Sequence, residues 1–231
     1  MDQRRTDRYY KMRFPVTQVF NFFQNPDAVL HYAQGLEYFN NNEKYPGVRS
    51  KPLHEINPGL FTNLTNKVLN LWFHNNVSEF NCRWTFQKIK KGDVDERDGW
   101  PHTDKESAFT TIIYLTKNKE DFGTSILLPK NIGDNDEFSD LSNGINGPSM
   151  KMHGYNQSDI DKKYKEVNNR FKVVSQFKSI YNSAIMFDGN YPHQANFGAL
   201  SDNEERITLI GFMYSVSATN FPIPQMNSVI I

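Results

Sequence analysis

Cysteine is nearly absent from this chain. There is one, Cys82, so no disulfide can form within a single copy and a disulfide-stapled secreted scaffold is excluded. Cys82 lies in an apolar and aromatic run and reads as a buried thiol. An excess of charge of either sign is also missing. Lys and Arg number 26, Asp and Glu number 26, and the formal net charge is zero. A nucleic-acid binder ordinarily carries a basic excess, so that class is disfavoured, short of a local basic groove. No run approaches the ~18 consecutive apolar residues of a membrane span. The charged stretch Met1 to Arg13 has no apolar core of signal-peptide length. The expectation is a soluble, cytoplasmic protein with no membrane partner.

What the chain does have is length and aromatics. Its 231 residues suit one domain with a sizeable core. With 18 Phe, 11 Tyr and 3 Trp, that core should be rich in strand.

Residues 1–13 read as a tail or a first strand. Asn25-Pro26-Asp27 carries the signals of a helix start: an Asn cap, Pro in the first turn, and an acid at the positive end of the dipole. Val29, Tyr32, Ala33 and Leu36 follow at helical spacing, and His31 falls off that stripe, toward solvent. Asn57-Pro58 repeats the start signal. Phe61, Leu64, Val68, Leu71, Trp72 and Asn75 then mark one face of a helix that should lie outside a sheet. His74 in its last turn suits the helix dipole, and His54 is a loop residue. From Ser78 the period changes to two: Phe80, Cys82, Trp84 and Phe86 alternate with polar residues, a strand pattern. Further strands are predicted at Phe109 to Leu115, Thr124 to Leu128, Phe171 to Phe177, Ser183 to Phe187 and Arg206 to Tyr214.

Lys130 to Met152 is polar and without periodicity, too long for an ordinary hairpin loop. Ser158 with Asp161 then resembles a capping box, and Ile160, Tyr164, Val167 and Phe171 form a narrow apolar stripe. Residues 130–170 read as an insertion carrying one helix, either a substrate lid or a surface loop. The apolar end, Val229-Ile230-Ile231, can close a sheet edge or an oligomer contact. Helices followed by a run of short strands give an α+β fold with an antiparallel β-sandwich.

The chemistry concentrates at Trp100-Pro101-His102-Thr103-Asp104. In an extended chain, residues two apart point to the same side, so His102 and Asp104 can converge on one point. His193 is suited to join them. Two His and one carboxylate with open positions opposite are the ligand set of non-haem Fe(II) oxygenases. Farther on comes Arg206-Ile207-Thr208, in a strand-like run.

In this order, His102-x-Asp104, a distant His193, then Arg206-x-Thr208, the sequence resembles the Fe(II)- and 2-oxoglutarate-dependent dioxygenases, in particular small prolyl-hydroxylase-like members of phages and bacteria. The resemblance runs from about Ser78 to Tyr214, with a fainter stretch from Asn25 to Ser50 that includes Tyr45-Pro46-Gly47-Val48-Arg49-Ser50. It implies a double-stranded β-helix, or jelly roll, with the N-terminal helices packed outside. If the gene is a phage's, the compartment is the cytoplasm of a bacterial host.

By that resemblance, His102, Asp104 and His193 hold Fe(II). The co-substrate 2-oxoglutarate takes two of the three remaining positions and O2 the third, with ascorbate supportive. The far carboxylate of 2-oxoglutarate needs a fixed cation. Arg206, paired with Thr208 on one strand face, suits it, because a guanidinium bonds a carboxylate through two parallel N–H groups. Tyr114 stands where the family often places a phenol on the same carboxylate, or is a core tyrosine. Many relatives carry another Tyr shortly before the first His. This chain has none there, and Gln87 is a substitute contact at best. Asp104 is retained, which favours hydroxylation over the halogenation of relatives that lack the carboxylate ligand.

The implied reaction is hydroxylation of a C–H bond in a peptide side chain or a small amino-acid-like substrate, with release of succinate and CO2. Trp100 walls the pocket or belongs to the core, and His153 can reach substrate from the insertion. The alternatives are a jelly-roll protein that binds a metal or small anion without turnover, and a nucleobase-demethylating oxygenase, which the neutral charge disfavours.

Overall fold

The computed structural model describes residues 14–40, 45–73, 76–91, 93, 99–117, 120–130, 150, 154–197, 200–201 and 204–222. His74, His153, residues 1–13, the first half of the insertion and the apolar C-terminal end all lie outside the described residues, apart from Met150 within the insertion.

Among the described residues, ten strands form two antiparallel sheets. They are β1 (Thr17–Val19), β2 (Tyr38–Phe39), β3 (Val48–Ser50), β4 (Val77–Lys90), β5 (Phe109–Tyr114), β6 (Thr124–Pro129), β7 (Phe171–Phe177), β8 (Ser183–Asp188), β9 (His193–Ala195) and β10 (Glu205–Ala218). The large sheet runs β1-β8-β5-β10-β4-β3-β2 and the small one β7-β6-β9. The two face each other as a jelly roll: Ile126 of the small sheet packs with Tyr114, Ile185 and Phe187 of the large one.

Alternation along each strand separates two environments. On the outer face of the large sheet, Trp84, Phe86, Leu209 and Met213 join the helices in the main core. These helices are α1 (Pro26–Gln34), α2 (Leu53–Ile56) and α3 (Pro58–Phe73). Both Asn caps form as the sequence predicts: Asn25 Oδ1 accepts from Ala28 N–H at 3.1 Å, and Asn57 Oδ1 accepts from Leu60 N–H at 3.0 Å. Most of the predicted stripe of α3 holds, with Phe61 and Trp72 also packed against the core. Leu64, Thr65, Val68, Leu69 and Phe73 are buried, whereas Leu71 faces solvent. Thr65 faces the sheet, where its Oγ1 accepts from Trp84 Nε1 at 3.1 Å. Gly211 leaves room for that indole, since a Cβ there would lie 2.5 Å from the Trp84 ring. Cys82 is half-buried with its thiol 3.6 Å from Thr65 Oγ1, and burial pushes its pKa up. His31 is exposed, as read.

The helix of the insertion, α4 (Gln157–Asn169), is present, but its cap is Asn156 rather than Ser158: Asn156 Oδ1 accepts from Asp159 N–H at 3.0 Å. Ile160 and Val167 are its buried residues, and Val167 packs with Leu127, Phe171 and Trp100. Lys130 N–H donates to Arg170 O at 2.8 Å, so the chain leaves β6 and re-enters β7 at adjoining points. Strand β9, three residues long, was not foreseen from the sequence. Among the described residues, no helix is long and apolar enough to cross a membrane.

Candidate metal centre

His102, Asp104 and His193 converge, with their ligand atoms all within 4.8 Å of one another. Main-chain pairing sets this. His102 and His193 form an antiparallel bridge between the segment leading to β5 and the start of β9, which puts both imidazoles on one side with ring centroids 4.2 Å apart. Asp104 N–H donates to Gly189 O at 2.9 Å, tying the carboxylate's loop to the end of β8. The approach is close enough to require Gly189, because a Cβ there would lie 2.0 Å from Ser107 O and 2.6 Å from Asp104 O.

The imidazoles are oriented for ligation. His102 Nδ1 lies 2.8 Å from Trp100 O, and His193 Nδ1 lies 3.0 Å from Tyr191 O. A carbonyl can only accept, so each Nδ1 carries a proton and each Nε2 is the atom turned toward Asp104. His102 Nε2 is 3.9 Å from Asp104 Oδ1, and His193 Nε2 is 3.6 Å from Asp104 Oδ2. These gaps are too long for hydrogen bonds and short enough to share one ion. Thr110 Oγ1 donates to Asp104 Oδ2 at 2.6 Å, fixing the carboxylate's rotation. His193 is buried against the Phe187 ring. Burial, and then the neighbouring His102, push its pKa down to about 4. It is therefore neutral, the form a metal needs.

The inner face of the large sheet carries a second group of polar residues. Tyr114, Thr208 and Gln87 are cross-strand neighbours on β5, β10 and β4, and Arg206 lies on the same face of β10, two residues from Thr208. Arg206 is 4% exposed. Its guanidinium sits between Tyr114 and Phe197, 6.0 and 5.7 Å from the ring centroids. Its Nε has no hydrogen-bond partner, and among the described residues no carboxylate pairs with it. Burial pulls its pKa down. A buried guanidinium without a counter-ion is costly, and an anion beside it would offset that cost.

Tyr114 OH lies 2.7 Å from Thr124 Oγ1 on the facing sheet. Thr124 and Thr110 were not singled out from the sequence; no local spacing marks them. Gln87 has another use than the one suggested: its Nε2 donates to Pro46 O at 2.8 Å. Trp100 is half-buried, and its ring meets Tyr164 of α4 edge-on at 5.5 Å. Its own carbonyl orients His102, so the insertion helix touches the residue that holds one candidate ligand in place.

Residues 3–209 match a family of unknown function, DUF6445. No curated protein matches the chain. The solved structures that share its fold include these three. The non-haem α-ketoglutarate-dependent epimerase SnoN of nogalamycin biosynthesis is 12% identical, covers 95% of this chain and 85% of its own, and gives a TM-score of 0.51. HygX from Streptomyces hygroscopicus, crystallised with nickel and 2-oxoglutarate, is 10% identical over 92% of this chain and 87% of its own, with a TM-score of 0.51. An oxidoreductase of the 2OG-Fe(II) oxygenase family from Burkholderia pseudomallei is 10% identical over 93% and 91%, with a TM-score of 0.50. At such identities the likeness is one of fold, the jelly roll on which those oxygenases are built.

Proposed function

The chain belongs to the DUF6445 family, and we propose that it is an Fe(II)- and 2-oxoglutarate-dependent oxygenase that hydroxylates a C–H bond of a small amino-acid-like molecule or a peptide side chain. One observation carries this reading. A two-His, one-carboxylate cluster and a buried guanidinium with no carboxylate partner among the described residues share the interior of one barrel.

The donor set fits Fe(II): two imidazoles whose Nδ1 atoms meet main-chain carbonyls, leaving Nε2 for a metal, and one carboxylate held by Thr110. His102, Asp104 and His193 would hold the metal. Arg206 would take the far carboxylate of 2-oxoglutarate through two parallel N–H bonds, with the Thr208 hydroxyl adding one more. Tyr114 and Thr124 stand beside that pocket as a bonded hydroxyl pair, so one of them can donate onward to the same anion.

With O2 and 2-oxoglutarate, bound Fe(II) supplies the oxidation of a C–H bond, releasing succinate and CO2. The protein's part is position and dryness. Phe187, Tyr114 and Ile185 are fully buried around the pocket, and charge-assisted bonds strengthen where water is excluded. Asp104 keeps its place in the ligand set, which supports hydroxylation rather than halogenation.

The test is incubation with Fe(II), ascorbate, O2 and 2-oxoglutarate. We expect slow succinate formation without added substrate, and a product 16 mass units heavier once free amino acids or peptides are screened. Metal uptake without 2-oxoglutarate binding or succinate would favour a jelly-roll protein that only holds a metal or anion.

A further inference from the structure

A second arginine faces the same interior. Arg49 of β3 is the cross-strand neighbour of Gln87, which is the neighbour of Thr208 and, through it, of Tyr114. All four belong to one row on the inner face. The Arg49 guanidinium carbon stacks 3.6 Å from the Tyr45 ring centroid and lies 5.4 Å from that of Phe212. Phe212 is the cross-strand neighbour of Thr110, whose hydroxyl holds Asp104. Arg49 therefore leans from the β3 side of the barrel toward the metal centre, whereas Arg206 sits farther down β10.

Like Arg206, Arg49 has a buried Nε with no partner and no ion pair among the described residues. Burial lowers its pKa, while Tyr45 and then Asp104 favour its charge. Asp104 is already engaged by Thr110 and by its place among the metal-ligand candidates. By contrast, Lys88 and Lys90 both meet Glu205, at 3.3 and 3.0 Å.

The segment carrying Arg49 is also held in place. Gln87 Nε2 clasps Pro46 O. Gly47 has φ of +73°, and a Cβ there would lie 2.2 Å from Lys88 O, so only glycine lets the chain approach β4 this closely. A cation fixed in advance, with a buried Nε that no protein group bonds, is what tight carboxylate recognition needs.

We propose that Arg49, stacked on Tyr45, binds a free carboxylate of the molecule to be oxidised, so that the prime substrate is a small amino-acid-like carboxylate. The proposal rests on the oxygenase reading above and assigns its second arginine. Two arginines on separate strands then divide the work: Arg206 takes the co-substrate and Arg49 the substrate.

The experiment is calorimetric titration of the full chain loaded with Mn(II), first with 2-oxoglutarate, then with N-acetyl amino acids (carboxylate, no ammonium) and amino-acid amides (ammonium, no carboxylate). Among the N-acetyl amino acids at least one binder is expected, with its amide counterpart at least about tenfold weaker. Arg49→Ala and Arg49→Gln should weaken that binder by roughly tenfold to hundredfold and leave 2-oxoglutarate affinity within about twofold. Arg49→Gln keeps length and polarity, so it carries the test if the alanine variant does not fold. Equal loss of 2-oxoglutarate affinity would assign Arg49 to the co-substrate and overturn the proposal. Carboxylate binding indifferent to Arg49, or absent across the panel, would overturn it too, with the oxygenase reading intact. Failure of the wild type to bind 2-oxoglutarate in the first titration overturns that reading instead.

Discussion

His102 and His193 exchange both of their main-chain hydrogen bonds, N–H to carbonyl at 2.9 Å one way and 2.8 Å the other. The two candidate ligands are thus set by a backbone ladder, independent of any ion. A site built this way keeps its frame without metal, and its ligands can be removed without unfolding the barrel.

His102→Ala and His193→Ala should therefore abolish stoichiometric Fe(II) binding in calorimetry while leaving the circular dichroism spectrum unchanged. Succinate formation should vanish with the metal. Full metal occupancy in His193→Ala would remove this residue from the ligand set.

Thr110 tests the orientation of the carboxylate. Partners that orient a metal ligand typically affect affinity by about 10–100-fold. Thr110→Val keeps the volume and loses the 2.6 Å bond to Asp104 Oδ2, so metal affinity should fall within that range, and Thr110→Ser should restore most of it. Unchanged affinity in the valine variant would mean that Asp104 is held by its backbone alone.

Arg206 tests the anion pocket. Losing a charge-assisted hydrogen bond costs about 1.5–3 kcal/mol, or roughly tenfold to hundredfold in affinity. Arg206→Met should weaken 2-oxoglutarate by at least that factor and leave Fe(II) binding intact. Removing a buried cation that has no carboxylate partner among the described residues should also leave the ligand-free protein at least as stable as the wild type. Excess 2-oxoglutarate, at about 100 times its Kd, should stabilise the wild type by about 2.7 kcal/mol and the variant hardly at all, read as a thermal shift. A variant that melts lower without ligand and still shifts with 2-oxoglutarate would place the anchor elsewhere.

Gly189 is a test of close approach. Gly189→Ala puts a methyl group 2.0 Å from Ser107 O and 2.6 Å from Asp104 O, so the loop carrying Asp104 must move. Metal binding should suffer more than the melting temperature. The reverse order would show that this contact serves the fold rather than the site.

These residues also show why part of the site is legible in the sequence and part is not. His102 and Asp104 announce themselves because a strand puts residues two apart on one side, and Arg206 with Thr208 does so for the same reason. Strand and helix starts are likewise local: Asn25 and Asn57 cap as their sequences say. Thr110, Thr124 and Arg49 act through register between strands distant in the chain, or through the facing of two sheets, and no spacing encodes that. Leu71 departs from the apolar stripe because the buried face of α3 also takes in Thr65, bonded to Trp84, and Leu69 and Phe73. The stretch Tyr45 to Ser50 was visible as a resemblance, but its role depends on Gln87 reaching Pro46.

The last prediction concerns the insertion between β6 and β7. Its two ends meet, with Lys130 N–H bonded to Arg170 O and Pro129 paired with Phe171, so the strand pair does not need the intervening chain for closure. Helix α4 docks by Val167 on Leu127 and Phe171, and Trp100 meets Tyr164 of the same helix. Since Trp100 O also orients His102, the helix reaches the metal centre through one residue, which suits a substrate cover. Replacing residues 131–149 with a Gly/Ser linker keeps the helix, its Asn156 cap and the backbone bond from Tyr155 to Met150. The variant should fold, bind Fe(II) and 2-oxoglutarate as the wild type does, and form succinate without substrate. Coupled hydroxylation of the substrate should drop if residues 131–149 complete the cover that α4 begins. Undiminished coupled turnover would show that the segment is a surface loop, and loss of folding would show that it is structural.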